Sequence, residues 1–210
     1  MLDNIQLVQK HFPGWKVYVY VAPDVPADFV KEMRASPHVV IRETGELGSI
    51  NMVHRFYAID EPEVDIMLVR DADSRIHWKD RWAIRDFLSR PSFLAHTIRD
   101  NSEHKARMMG GLWGIRKSAG INIHEQYAAF CADTSKPDYR IGNDQNFLSH
   151  SIYPKVVSRL LVHKCERVGR FSDETCVQFP FEWTNDVYCG RIETSFVDRL
   201  APTAFLKLSR

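Results

Sequence analysis

The sequence predicts an α/β domain built on a central, mostly parallel sheet flanked by helices. Three observations predict it: apolar strand segments alternate with helical segments through residue 98, those strands carry few polar side chains, and an acidic turn follows the third of them. Apolar strands alternating with helices are the pattern of a parallel sheet covered on both faces. With 210 residues, 44% of them hydrophobic, the chain is expected to form a single domain around one sizeable core.

Trp15-Lys16-Val17-Tyr18-Val19-Tyr20-Val21 is β-branched and aromatic, and Ala22-Pro23-Asp24 ends it with a turn signal that a strand interior excludes. Pro26-Ala27-Asp28 opens a helix through Met33-Arg34, and His38 to Arg42 follows Pro37 as a second strand. Ile50, Val53, His54 and Tyr57 fall at helical spacing, so Ser49 is expected to cap a helix running to Ala58. Val64 to Val69 forms the third strand, Trp78 to Leu88 an amphipathic helix stopped by Pro91, and Phe93 to Ile98 a fourth strand. Beyond Gly110-Gly111 the signals weaken. Ile123 to Phe130 and Asp144 to Ser151 read as helices, Leu160-Leu161-Val162 as a strand, and residues 170 to 210 mostly as loop.

Twenty-eight Lys and Arg against 27 Asp and Glu leave a formal charge of +1, so no global field argues for nucleic acid or an anionic membrane surface. The longest apolar run, Ile66 to Val69, is far short of the ~20 residues a membrane helix needs. Met1-Leu2-Asp3-Asn4 lacks the basic and apolar stretches of a secretory leader, from which a cytoplasmic location is expected. Cys131, Cys165, Cys176 and Cys189 form no CxxC pair, and they are expected to be reduced and mostly buried.

Asp71 and Asp73 stand at the carboxyl end of the third strand, where sheets of this kind present ligand groups. In extended backbone, residues two apart point to the same side, so both carboxylates can reach one cation. A hard divalent ion, Mn²⁺ or Mg²⁺, relieves their repulsion and can hold a phosphate or pyrophosphate. The structural alternative is a turn whose carboxylates cap the following segment and pair with Arg70 and Arg75.

Five segments in order, Arg55 to Asp60, Arg70 to Arg75, Arg99 to His104, Gly110 to Gly114 and Asp144 to Leu148, give the chain a family likeness. It resembles the nucleotide-sugar glycosyltransferases of the GT-A (Rossmann-like) fold over roughly residues 15 to 190. Within that group it is most similar to chlorella-virus enzymes that build capsid glycans, and less closely to the retaining galactosyltransferase and glycogenin-like enzymes. The resemblance implies a metal-dependent transfer, with retention, from a UDP-sugar donor to a carbohydrate or glycoprotein glycan acceptor. It also implies a chain that is one domain of a longer polypeptide.

Residue by residue, the resemblance gives Asp71 and Asp73 to the metal, with His163 completing the site although Lys164 stands where relatives often keep Asp. Val21, Ala22 and Pro23 match the segment whose backbone reads the uracil edge, and Arg55, Asp71 and Ala72 the groups around the diphosphate. Asp100 and His104 match sugar ligands, Gly110 and Gly111 let backbone approach the sugar, and Trp113 offers a ring face. Asp144 and Gln145 match the polar pair beside the anomeric carbon. The Gln145 oxygen would steady an oxocarbenium-like centre while Asp144 orients hydroxyls. Each has a structural alternative: a prolyl turn at Pro23, a surface Arg55, a turn-capping Asp100, a core Trp113, a strand-end His163 satisfied by a carbonyl, and a helix cap at Asp144.

Two other functions stay open on sequence. A strand followed by DxDxS also resembles the aspartyl phosphatases, with Asp71 as nucleophile and Asp73 as acid and base. A non-catalytic nucleotide- or carbohydrate-binding module would keep the same pocket and turn nothing over.

Overall fold

The computed structural model describes residues 1–133, 143–180 and 187–191. In chain order the elements are α1 (Leu2–His11), β1 (Val17–Val21), α2 (Ala27–Arg34), β2 (Val39–Glu43), a 3-10 helix (Ser49–Asp60), β3 (Ile66–Arg70), α3 (Trp78–Ser89), β4 (Ala95–Arg99) and β5 (Leu112–Arg116). There follow α4 (Ile123–Ala132), α5 (Asn143–Phe147), a π-helical turn (Leu148–Ile152), α6 (Tyr153–Val156), β6 (Leu160–Lys164) and β7 (Thr175–Gln178).

Local chemistry sets the boundaries. The Asn122 side chain accepts from the Glu125 amide at 3.0 Å to open α4, and Asp60 accepts from the Ile123 and His124 amides at 2.9 and 3.0 Å. Two orphan donors of that helix are thus satisfied from the end of the 3-10 helix. His77 caps α3 through Nδ1, which accepts from the Lys79 amide at 3.2 Å.

The main sheet has five strands in the order β3-β5-β4-β6-β7. β5 runs antiparallel to both β3 and β4, while β6 and β7 run parallel to β4. Four of the five strands therefore share one direction, and their carboxyl ends lie at one edge of the sheet. The central strands β4 and β6 are buried at every position, as strands covered on both faces must be. Phe56, Trp113 and Phe147 anchor the core without exposed surface, Phe56 meeting Trp113 edge-on at 5.2 Å between ring centroids. A buried aromatic is worth about 2–3 kcal/mol and an edge-on pair about 1 kcal/mol more.

Two features depart from expectation. The two strands β1 and β2 form a separate parallel pair rather than part of one continuous sheet. Between β1 and β3 lies a cleft of about 460 Å³, lined by Val17 and Tyr18 on one wall, Leu68 and Arg70 on the other, and reaching Arg55 and Asp71. The segment expected as an α-helix from Ser49 is a 3-10 helix, entered from Gly48 at φ +83°. The four cysteines are free, with Cys165 and Cys189 buried and Cys131 exposed. Among the described residues no helix is long and apolar enough to cross a membrane.

His96 in β4 is fully buried, stacked on Phe87 at 4.7 Å, and neither ring nitrogen has a hydrogen-bond partner among the described residues. Burial first, and the nearby Arg70 charge second, push its pKa well below the ordinary 6.5, so the ring stays neutral in the fold. The unfolded chain takes up that proton below about pH 6.5 and the folded chain does not, so stability falls as pH drops through that value. A His96→Leu variant, which removes two unpartnered buried nitrogens, should be as stable as the parent or more so at pH 7. Its melting temperature should fall less steeply between about pH 6.5 and 5.5. Thermal melts of both chains across that range check this.

Candidate active site

The site grows from the carboxyl end of β3. Arg70 lies against α3, its Nε 3.0 Å from both oxygens of buried Asp80 and its Nη2 2.7 Å from Oδ1. That forked contact, joined by Arg70 Nη1 donating to the Trp113 carbonyl at 3.2 Å, fixes where the strand ends. The turn beyond is held from the other side by α1. Asn4 Nδ2 donates to the Ser74 carbonyl at 2.6 Å and lies 3.5 Å from those of Asp71 and Ala72, while its Oδ1 accepts from the Ile76 amide. The Met1 amine donates to the Ala72 carbonyl at 3.0 Å.

From this turn Asp71 reaches into a three-residue cluster. The Arg55 guanidinium, carried by the 3-10 helix, donates through Nη1 to Asp71 Oδ1 and through Nη2 to Asp144 Oδ2, the latter at 2.7 Å. Asp144, in the first turn of α5, has a side chain only 2% exposed, against 24% for Arg55 and 38% for Asp71. The Arg55 guanidinium also lies over the Phe56 ring, 5.4 Å from its centroid, which steadies it from the core side. Gly110 and Gly111 close the cluster. A Cβ on Gly110 would stand 2.5 Å from Asp144 Oδ2 and 2.9 Å from Arg55 Nη2, and one on Gly111 would overlap the Asp71 carboxylate. Only glycine lets backbone come this near to both acids.

Four of the five sequence segments thus meet at one point, through Arg55, Asp71, Gly110 with Gly111, and Asp144. Gln145 is half-buried beside Asp144, and Ala72 lines the same cleft as Arg55 and Asp71. Val21, Ala22 and Pro23 end β1, where Val21 and Ala22 carbonyls accept from the Thr44 and Val25 amides at 2.8 and 3.2 Å.

The other expected residues are placed elsewhere. Asp73 is exposed, and it stands near enough to the Met1 amine to oppose the lowering of that amine's pKa by burial. His163 has no exposed surface. Its Nε2 lies 3.1 Å from Asp86 Oδ2 on α3 and its ring meets Trp82 edge-on, and burial lowers its pKa more than Asp86 raises it. Among the described residues no group of three or more His, Cys, Asp or Glu could hold a metal ion. Of the three expected metal ligands, only Asp71 reaches the cluster.

Asp100, expected as a sugar ligand, is fully buried and internally engaged. Its oxygens accept from the Cys189 amide at 3.1 Å each, with Lys79 Nζ 3.5 Å away. It ties a late segment of the chain to the end of β4. His104 is 8% exposed, and its Nδ1 accepts from the Asp100 amide at 3.2 Å. Burial holds its pKa below the usual histidine value. Trp113 is sealed in the core against Phe56 and has no face open to a pyranose.

Asn4 and Lys79 were not singled out by the sequence. Nothing local marks them, because Asn4 acts on a turn some 70 residues away and Lys79 looks like a surface residue of an amphipathic helix.

Removing Arg55 leaves a buried carboxylate uncompensated. Arg55→Ala should therefore cost about 2 kcal/mol, less than a fully buried pair because Asp71 is partly solvated. In an Asp144→Asn background the same change should cost roughly half of that or less. Urea denaturation of the four chains of this double-mutant cycle measures both figures.

No protein-family model matches the sequence, and no curated protein matches it. Among solved structures, the chain is similar to the crystal structure of a glycosyltransferase involved in the glycosylation of the major capsid of PBCV-1. The two share 16% identity and a TM-score of 0.45, over 70% of this chain and 81% of that one.

Proposed function

We propose that this chain is a glycosyltransferase that moves a sugar from a UDP-sugar donor to a carbohydrate acceptor, with retention, in viral glycoprotein glycan synthesis. The observation that carries the reading is the Arg55 bridge between Asp71 and Asp144, with Gly110 and Gly111 pressed against both acids. Segments that share an order with the GT-A enzymes, and are far apart in this chain, supply one cluster beside an open cleft.

The reaction asks for three things from these residues. Arg55 offers a planar cation with two donor edges to a diphosphate, as its present grip on two carboxylates illustrates. A divalent ion bound beside Asp71 would neutralise charge that develops on the departing diphosphate. Gly110 and Gly111 let the backbone pack directly against both acids, and Asp144 can accept from a hydroxyl.

Gln145 carries an amide, a poor nucleophile, so a stable covalent intermediate is not expected. The glycosyl bond to the diphosphate breaks, the acceptor oxygen bonds to the anomeric carbon on the same face, and the acceptor proton passes to a phosphate oxygen. The Gln145 side-chain oxygen would stabilise the positive charge that develops at that carbon. The phosphatase alternative needs Asp71 free to attack phosphorus, whereas its carboxylate is engaged by Arg55 and roofed by Gly111.

Melting the protein with UDP, GDP, CMP and ADP, each with and without Mn²⁺, tests the donor class, because a ligand of the folded state raises the melting temperature. The expected result is a shift with UDP that is largest with Mn²⁺. No shift with any nucleotide would overturn the reading. Product NMR should show the donor's anomeric configuration kept, and an inverted product would remove the role given to Gln145.

A further inference from the structure

Two strand edges face each other across the cleft, and neither is paired. The Lys117 amide donates to the Asp65 carbonyl at 2.7 Å and starts the β3–β5 ladder. By antiparallel alternation Met67 and Val69 bond to β5, while the amides and carbonyls of Ile66, Leu68 and Arg70 point into the cleft. On the far wall the Val17 amide donates to the His38 carbonyl at 2.8 Å, so Val17, Val19 and Val21 bond to β2 and the backbone of Lys16 and Tyr18 faces β3. None of these inward-facing groups has a hydrogen-bond partner among the described residues. The two strands run the same way, since Tyr18 donates to Glu63 before β3 and Tyr20 meets His54, the neighbour of Arg55.

Unpaired groups recur along a strand edge about every 6.5 Å. An acyl chain would leave both rows unmet, whereas the backbone of an extended peptide matches them. Its side chains would meet apolar walls on both faces, because Leu68 packs with Phe12 and Ile84 on one face of β3 and Met67 with Ala58 on the other. At the amino end of β3, Glu63 and Asp65 outnumber Lys16 in the lining, so a basic residue fits there.

We infer that the cleft is a strand-docking slot, and that Thr203 to Leu208 of this same chain enter it antiparallel to β1 and β3. Residues 192–210 lie outside the described residues, and within them Thr203-Ala204-Phe205-Leu206-Lys207-Leu208 holds no acid. In extended form it sets Ala204, Leu206 and Leu208 on one face and Phe205 with Lys207 on the other. Gly190 lies against Leu112, which stands opposite Arg70 in the β3–β5 ladder, so the chain leaves Arg191 near the carboxyl end of β3. From there roughly a dozen residues reach up to about 40 Å. A segment entering at that end runs against both strands and brings Lys207 toward Glu63 and Asp65. The two sheets then become one, and β1, which ends in Val21 to Pro23, is held at a fixed distance from β3, which ends beside Asp71. No part of this rests on the donor or the metal.

Residue-resolved amide hydrogen exchange on the full chain tests this, comparing the parent with Leu206→Pro, which cannot hold a strand between two others. The Tyr18, Leu68 and Arg70 amides should exchange slowly in the parent and roughly tenfold or more faster in Leu206→Pro, with β4 and β6 protected equally in both. Fast exchange at those three amides in the parent would overturn the inference. Slow exchange in both chains would do so too, because the edges would then be paired directly or by another segment. Protection that fades on dilution together with a dimer seen by light scattering would give the strand to a second copy and overturn the assignment to this chain. If Leu206→Pro also loses protection in β4 and β6, Lys207→Glu decides. Its like charge beside Glu63 and Asp65 should speed Tyr18 exchange several-fold, and an unchanged rate there overturns the inference.

Discussion

Everything around the site is arranged to keep one guanidinium between two carboxylates. Arg55 reaches Asp144 while its chain neighbour Phe56 stacks with Phe147 at 6.5 Å, so the 3-10 helix and α5 are joined by an ionic contact and an apolar one side by side. The apolar contact excludes water from the ionic one, which strengthens the attraction. On the other acid, the Arg70 fork to Asp80 and the Asn4 donors to the turn hold the end of β3 in position. At Gly110 and Gly111 the absence of a side chain leaves the acids where they are, since a Cβ at either position would push against them.

The strands that were legible in the sequence are those whose neighbours demand β-branched or aromatic residues throughout. Val17 to Val21 and Ile66 to Val69 are such runs, and both are strands. β5 was not legible, because Leu112-Trp113-Gly114 reads as a glycine-rich loop. Its glycine has a packing cause: a Cβ at position 114 would stand 2.6 Å from Leu68, 2.7 Å from the Met67 carbonyl and 3.0 Å from His96. β7, four residues inside a polar stretch, gives no periodic signal of its own and exists by pairing with β6. The break between β1 and β3 was equally invisible, since strand order is a matter of long-range contact.

The cluster was legible as far as its charged and glycine-rich parts, because Arg55, Asp71, Gly110, Gly111 and Asp144, which the structure brings into contact, sit at recognisable places in ordered motifs. Asp100, Trp113 and His163 share residue types with sugar and metal ligands, but the fold uses each as an internal tie. A buried carboxylate accepting from an amide and a binding carboxylate accepting from a hydroxyl obey the same chemistry. Sequence carries the donor and acceptor inventory but not the burial that decides between them.

The bridge from Arg55 to Asp144 and the tie from Asp100 to Cys189 each span 89 residues. Contacts of that sequence separation are entropically costly to close and tend to slow folding. A chain whose first hundred residues have collapsed already owns the Arg55–Asp71 pair, but it lacks Asp144 and the lock on β4. The bridge to Asp144 is therefore completed only with the last docking event, so closure of that ion pair marks completion of the fold.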